Sequence, residues 1–226
     1  MVLLSRGALE KAIQEGEIVL DPRPEKLEPA SIDLTVGSEA FRSRDDEITY
    51  LERGKLLIIP AGDFTLIVTK EYLKLSQSIV GHIGLRSKYT RRGMILMAGP
   101  QIDPGFEGNL HIALCNLSPT EVSLSYGDPF CTVEFHRLPE PVKEPYRGEY
   151  LGQTSITSDE VRDIRKGRGL ALSEAIDLIR RTSENVSKLT ESVKKLSDRT
   201  DRYMAIFVTT IVALVLGILG KLTGVF

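Results

Sequence analysis

A short turn that contains a carboxylate is the part of this chain best suited to chemistry. Residues 102–108 read Ile-Asp-Pro-Gly-Phe-Glu-Gly, so Asp103 stands in a proline-glycine turn with Phe106 close behind it. Pro104 and Gly105 favour a tight turn that can point a short carboxylate into a cleft. A carboxylate held in this way can take a proton from a water molecule. The turn therefore predicts a site for water activation, with an aspartate that only caps its own turn as the alternative.

Residues upstream of the turn supply groups that bind phosphate. Arg86, Ser87 and Lys88 offer a guanidinium, a hydroxyl and an ammonium, and Arg91 follows closely. Arginine can bind phosphate oxygens through two parallel hydrogen bonds. Phe106 can stack on a sugar or a base, with ordinary core packing as its alternative. Together these groups suit a site that holds a nucleoside triphosphate and activates one water molecule.

The composition argues against several classes of protein. The 226 residues carry a formal net charge of −2, so no nucleic-acid partner is expected. Charged residues make up 27% and apolar residues 42%, which indicates a globular rather than a disordered chain. Cys115 and Cys131 lie in apolar runs and are expected to be buried free thiols. His82, His111 and His136 are scattered along the chain, so a metal held by the protein alone is not expected.

Short alternating segments dominate residues 1 to 154. Apolar side chains recur with period two at residues 32, 34 and 36 and again at 110, 112 and 114. Further short apolar runs are separated by glycine, proline and polar turns. A single helix is predicted near the start, beginning after Ser5 and ending at Gly16. The pattern predicts a mainly β fold, an antiparallel sandwich or jelly-roll-like barrel with a short N-terminal helix.

The last third of the chain changes to helical patterns. Residues 158–171 read as a charged linker, in which a short helix capped by Ser158 is one interpretation. Residues 172–203 contain five heptads with mostly apolar residues at positions a and d, and the other faces are polar. Such a repeat predicts a long coiled-coil helix that forms a stalk. The alternative is an amphipathic helix packed on the barrel.

Residues 204–226 are predicted to form a C-terminal transmembrane helix. Residues 204–220 contain no charge and reach about 25 Å as a helix, at the short end of a membrane span. Four basic residues between positions 194 and 202 precede the segment and only Lys221 follows it, which places the N-terminal head in the cytoplasm. Residues 1–6 contain too few apolar residues for a signal peptide. A hydrophobic tail buried in an oligomer is the alternative to a single-pass membrane anchor.

Five motifs together resemble those of the dCTP deaminase and dUTPase superfamily. Residues 29–34 resemble its first motif, residues 86–93 its Arg-Ser motif, residues 102–108 its central motif and residues 127–135 its fourth. Residues 146–154 resemble the closing segment of the archaeal dUTPase branch. The resemblance covers residues 1–157, which are predicted to form one β domain. The linker (158–171), the stalk (172–203) and the anchor (204–226) lie outside it.

The resemblance implies an assembly and a role for each motif residue. It implies a homotrimer of distorted jelly-roll subunits, with three sites at the subunit interfaces and Mg²⁺ bound through the substrate phosphates. Asp103 would be the base that activates water, and Asp33 would be structural or lie near the metal. The residues that would bind the substrate are Arg86, Ser87, Lys88, Arg91, Gly105, Phe106, Tyr146, Arg147 and Gln153. A trimer calls for a three-stranded stalk, whereas the residues at a and d between 186 and 196 favour two strands.

One departure from the family pattern separates two activities. Deaminases of this superfamily carry a glutamate on the strand after the central motif as the base for attack on cytosine, and this chain has Ala113 there. Typical dUTPases carry a glutamine in the fourth motif where this chain has Thr132, and their glycine-rich closing arm is reduced here. The function predicted is a dUTP diphosphatase that forms dUMP and diphosphate. The alternatives are a dCTP deaminase, with or without diphosphatase activity, and a catalytically inactive nucleotide-binding or scaffolding trimer at the membrane.

Overall fold

The computed structural model describes residues 1–166 and 172–222, and the chain divides into two compact units, Met1–Ile176 and Asp177–Phe226. The helices are α1 (Arg6–Gln14), α2 (Ser87–Thr90), α3 (Ser158–Lys166) and α4 (Leu172–Leu222). The strands are β1 (Val2–Leu3), β2 (Ile18–Asp21), β3 (Ile32–Arg42), β4 (Thr49–Tyr50), β5 (Leu56–Ile59), β6 (Phe64–Leu75), β7 (Ile79–Leu85), β8 (Met94–Leu96), β9 (Gln101–Ile102), β10 (Glu107–Asn116), β11 (Val122–Ser125) and β12 (Pro129–Arg137).

Antiparallel pairing joins most of the strands into one curled sheet. The order is β8-β10-β6-β3-β12-β7-β9, with β1 beside β12, β2 beside β6 and β4 beside β3, while β5 and β11 form a separate pair. The long strand β3 links the two halves of the sheet. Its first part pairs with β12, where Ile32 lies opposite Val133, and its last part pairs with β6, where Phe41 lies opposite Leu66. The predicted mainly β fold of the jelly-roll type is confirmed.

The core is built from the alternating apolar positions that the sequence shows. On β10, Leu110, Ile112 and Leu114 are buried in the main core, so His111 and Ala113 lie on the opposite face of the strand. Helix α1 also matches its prediction, since it follows Ser5 and ends before Gly16. Cys131 is buried, Cys115 is half-buried, and both are free thiols as expected.

Helix α3 covers the second face of β10. Ala113 belongs to a small buried cluster with Phe41, Leu66, Val68 and Ile156, and Val161 and Ile164 of α3 pack against that cluster. The helix is capped by Thr157 rather than by Ser158, because the Thr157 hydroxyl accepts from Glu160 N–H while the Glu160 carboxylate accepts from Thr157 N–H. The described part of the predicted linker is thus a helix packed on the barrel, and residues 167–171 lie outside the described residues.

Helix α4 is 51 residues long. Its heptad side chains at 179, 186, 189, 193, 196 and 203 are 56–71% exposed. Residues Leu178–Leu219 contain an 18-residue window with a mean hydropathy of 2.1, long and apolar enough to cross a membrane. The coiled coil stays a prediction, and residues 223–226 of the predicted anchor lie outside the described residues.

Candidate functional site

A pocket of about 510 Å³ opens at the central motif. It lies between the turn before β10, the outer face of β10, the segment after β12 and helix α3. Its walls combine aromatic rings, amides and carboxylates with an apolar floor, as is usual for small-molecule sites. The lining residues are Leu66, Ile83, Met97, Ala98, Gly99, Gln101, Ile102, Asp103, Phe106, Leu110, His111, Ile112, Ala113, Tyr146, Tyr150, Gln153 and Glu160.

Asp103 lines this pocket, directly after β9. Its Oδ1 accepts a hydrogen bond of 2.5 Å from Gln101 Nε2. The turn itself is closed by the backbone, since Phe106 N–H donates to the Asp103 carbonyl oxygen at 3.0 Å. The Asp103 side chain therefore does not cap its own turn. Phe106 is buried beside it, and its ring centroid lies 5.9 Å from that of Tyr146.

The closing segment folds back onto the two glycines of the central motif. Gly105 has φ +84°, and a Cβ there would lie 2.4 Å from Pro145 Cβ, so only glycine allows the segment to come this close. Gly108 has φ +146° and likewise allows Gln153 to approach closely. The Gln153 carbonyl oxygen would lie 2.9 Å from a Cβ added at Gly108. Tyr146 and Gln153 are thereby brought into the pocket with Asp103.

We expect Gly105→Ala to destabilise the protein by about 1–3 kcal/mol, because the new methyl group adds a clash to a strained backbone conformation. It should also weaken nucleotide binding, since Pro145 and then Tyr146 must move. Urea unfolding measures the first effect and calorimetric titration the second. Gly99→Ala is the matched control for stability, because a Cβ at Gly99 would meet nothing within 4 Å. Equal unfolding midpoints for the two variants would contradict this account of Gly105.

The predicted phosphate-binding residues lie apart from this pocket. Arg86 follows β7, and Ser87 begins α2. Along the extended chain, Arg86 lies about 10 Å from Ile83, which lines the pocket. Arg86 is held by Asp33 of β3, with Nη1 and Oδ2 3.0 Å apart. Asp33 therefore orients the guanidinium, and the choice between a structural role and one near the metal stays open as a prediction.

The remaining predicted residues are spread over the surface. Ser87, Lys88, Arg91 and Arg147 are exposed, and neither they nor Arg86 are among the described residues that line the pocket. Within one chain the structure thus brings together Asp103, Phe106, Tyr146 and Gln153 but leaves the cationic residues outside. Their roles in binding stay predictions.

His111 and Glu160 are pocket residues to which the sequence interpretation gave no role. His111 Nδ1 lies 2.7 Å from Glu160 Oε1, and Glu160 Oε2 accepts from Thr157 N–H at 2.8 Å. Burial raises the pKa of the Glu160 carboxyl, but the hydrogen bonds from His111 and Thr157 outweigh burial and hold the pKa below its ordinary value of 4.5. A signal was present, since Thr157-x-x-Glu160 is a capping-box sequence that predicts the helix, although not what the helix contacts.

The metal that the resemblance implies is Mg²⁺ bound through the substrate phosphates. Within residues 1–166 and 172–222, no three histidine, cysteine, aspartate or glutamate side chains come together as a metal site. Asp33, which the resemblance placed near the metal, is paired with Arg86. Mg²⁺ bound through the substrate phosphates stays a prediction.

Comparison with known proteins identifies relatives that are similar in sequence to this chain. A dCTP deaminase from Thermococcus sibiricus is 45% identical over 141 residues, which cover 62% of this chain and 88% of that protein. A protein from Methanosphaera stadtmanae named "dCTP deaminase, dUMP-forming" is 31% identical over 189 residues, covering 72% of this chain and 95% of the relative.

A solved structure supports the fold. The 2′-deoxycytidine 5′-triphosphate deaminase from Agrobacterium tumefaciens superposes with a TM-score of 0.51 at 18% identity, over 61% of this chain and 48% of that one. At this identity the likeness concerns the fold alone. The dCTP deaminase-like family model matches residues 3–138, which hold most of the barrel together with the Arg-Ser and central motifs. The chain therefore belongs to the dCTP deaminase-like family.

Proposed function

We propose that this protein deaminates dCTP to dUTP and ammonia in the pocket beside Asp103. The observation that carries the proposal is the 45% identity to a protein named dCTP deaminase, of which this chain covers 88%. This support favours the deaminase alternative over the dUTP diphosphatase that the sequence predicted. The proposal must still account for Ala113, because alanine cannot transfer a proton.

The pocket has suitable groups for a pyrimidine deoxynucleotide. The rings of Phe106 and Tyr146 offer surfaces for stacking and for crowding a 2′-hydroxyl group. The side-chain amides of Gln101 and Gln153 can each donate and accept hydrogen bonds at a base edge. Bound Mg²⁺ would neutralise charge on the phosphates.

We propose that a neighbouring subunit brings its Arg86 and Ser87 to this pocket, with Lys88 and Arg91 beside them. The support is their position outside the pocket of their own chain. A homotrimer with sites at its interfaces, as the resemblance implies, would complete each site. Native mass measurement in detergent reports the stoichiometry.

A dUTP diphosphatase activity is the second candidate, and Ala113 favours it. Asp103 is present in the pocket and could act as the base for water attack on the α phosphate. Ala113 on β10 leaves the pocket without a carboxylate at position 113. The relative from Methanosphaera stadtmanae carries "dUMP-forming" in its name. One chain can therefore hold both activities.

Incubation of the full-length protein with dCTP or dUTP and Mg²⁺ tests these candidates. We expect ammonia from dCTP in stoichiometric amounts with dUTP or dUMP. Diphosphate from dUTP without ammonia from dCTP would replace the proposal by the second candidate. Binding of both nucleotides without either product would leave the inactive binding protein.

The C-terminal part of α4 is proposed to anchor the protein in a membrane, with the β domain in the cytoplasm. The support is the apolar window within Leu178–Leu219 and the basic residues that precede residues 204–220. The heptads of residues 172–203 would pair with those of other subunits, because the apolar side chains at a and d between 179 and 203 are exposed in the single chain.

A further inference from the structure

One carboxylate in the pocket has a position that its structural role does not explain. Glu160 reaches into the pocket from α3, and its side chain is 23% exposed, so water can reach it. The capping box with Thr157 accounts for Oε2. It does not account for Oε1, which is bonded to a histidine that faces the same pocket.

His111 is placed to hold this carboxylate. Its side chain is only 5% exposed, and its Nε2 is buried with no hydrogen-bond partner among the described residues. The register of β10 against β6 shifts between Asn109 and His111, an irregularity of the kind that re-aims side chains near sites. His111 and Ala113 then share one face of β10, about 7 Å apart. Glu160 is therefore held close to the position where the chain carries alanine.

Glu107, the other acidic residue of the central motif, bonds to side chains outside the pocket. Its carboxylate bonds Lys74 Nζ at 2.9 Å and the Tyr72 hydroxyl at 3.0 Å. It is not among the described residues that line the pocket. Asp103 and Glu160 are thus the two acids of the pocket lining.

We propose that Glu160 is the catalytic base of the deamination and that His111 is its positioning residue, so that a helix outside the barrel supplies the carboxylate that Ala113 cannot. This inference rests on the proposed function. The water oxygen bonds to C4 of cytosine, and Glu160 takes the water proton and passes it to N3. The new hydroxyl then loses its proton through Glu160 to the amino group. The C4–N4 bond breaks, its electron pair leaves with ammonia, and dUTP remains.

The protonation state of Glu160 fits this role. Because its pKa lies below the ordinary value, the carboxylate is ionised at neutral pH and can accept a proton. The other titratable groups that face it across the pocket are Asp103, His111, Tyr146 and Tyr150. Asp159, Arg162 and Asp163 are its charged neighbours on α3.

Glu160→Gln tests the base directly. Glutamine also serves in a capping box, so α3 should keep its place while the proton acceptor is lost. We expect ammonia release from dCTP to fall by about 10²–10⁴-fold, with the Kd for dCTP within a few-fold of wild type. Asp159→Asn is the matched control on the same helix, because Asp159 pairs with Arg162 outside the pocket, and it should keep full activity.

The outcomes separate the inference from the proposed function. A wild-type protein that binds dCTP but releases no ammonia overturns the proposed function and this inference with it. An active wild type with Glu160→Gln within a few-fold of it overturns the inference alone. Thermal unfolding of each variant shows whether α3 remains packed.

His111 is tested through the pH profile of kcat/KM. His111→Ala removes a hydrogen bond that lowers the pKa of Glu160, so the acid limb should move to higher pH. His111→Asn, whose amide N–H group can replace Nδ1–H, should move the limb back in part. A uniform loss of activity at every pH, with the limb unmoved, would leave His111 a structural residue and contradict its positioning role.

Discussion

Asp103→Asn tests the second candidate function and is expected to lower diphosphate release from dUTP by about 10²–10⁴-fold while the Kd for dUTP stays within a few-fold of wild type. Asparagine keeps the size of the side chain and an oxygen that can accept from Gln101 Nε2, the partner of Asp103 Oδ1 in the native protein. It cannot take a proton from water. The variant should therefore lower the rate of the chemical step and leave the affinity for dUTP almost unchanged.

The same variant should retain most of its ammonia release from dCTP, because Glu160 and not Asp103 is proposed to serve that reaction. Single-turnover assays of both products, with nucleotide binding measured separately, check this division. Asp159→Asn again serves as the control for a change from aspartate to asparagine. Unchanged diphosphate release would remove Asp103 as the base, and equal loss of binding and turnover would assign it to binding.

Two carboxylates from different parts of the chain thus share one pocket. Asp103 stands on the turn that precedes β10, and Glu160 stands on a helix that follows the barrel. Under these proposals each carboxylate serves one reaction, Glu160 the deamination and Asp103 the release of diphosphate. The Gly105→Ala variant, by displacing the closing segment, should impair both.

Much of the barrel could be predicted from local patterns. The alternation at Leu110, Ile112 and Leu114 predicts a strand with one buried face, and these side chains lie in the core. The turn at Asp103 could also be predicted, because proline and glycine fix its geometry within four residues. The family resemblance placed Phe106, Tyr146 and Gln153 at the site of Asp103, and all three line its pocket.

The residues that could not be predicted depend on contacts between distant parts of the chain. The pairing of His111 with Glu160 spans 49 residues and requires α3 to pack over Ala113. The charged sequence of α3 shows no such contact, because only Val161 and Ile164 bury apolar surface there. Arg86 likewise lies outside the pocket because of the path of β7 in the sheet. No local sequence pattern predicts that path.

The largest effect expected outside the pocket concerns the C-terminal segment. Val212→Arg places a charge at the centre of residues 204–220. An arginine at the centre of a membrane span costs about 3 kcal/mol on insertion scales, so membrane association should fall by about 100-fold. Fractionation and flotation of the full-length protein on lipid vesicles measure this as a shift to the soluble fraction.

Two controls separate insertion from a general effect of charge on this helix. Val212→Leu keeps the segment apolar and should remain with the membrane. Ser187→Arg adds the same charge to α4 outside the span, on a polar heptad position, and should also remain there. If the β domain is intact and Val212→Arg still floats with vesicles as the wild type does, the segment does not span the bilayer. The exposed apolar surface of residues 204–219 would then have to be covered by other subunits.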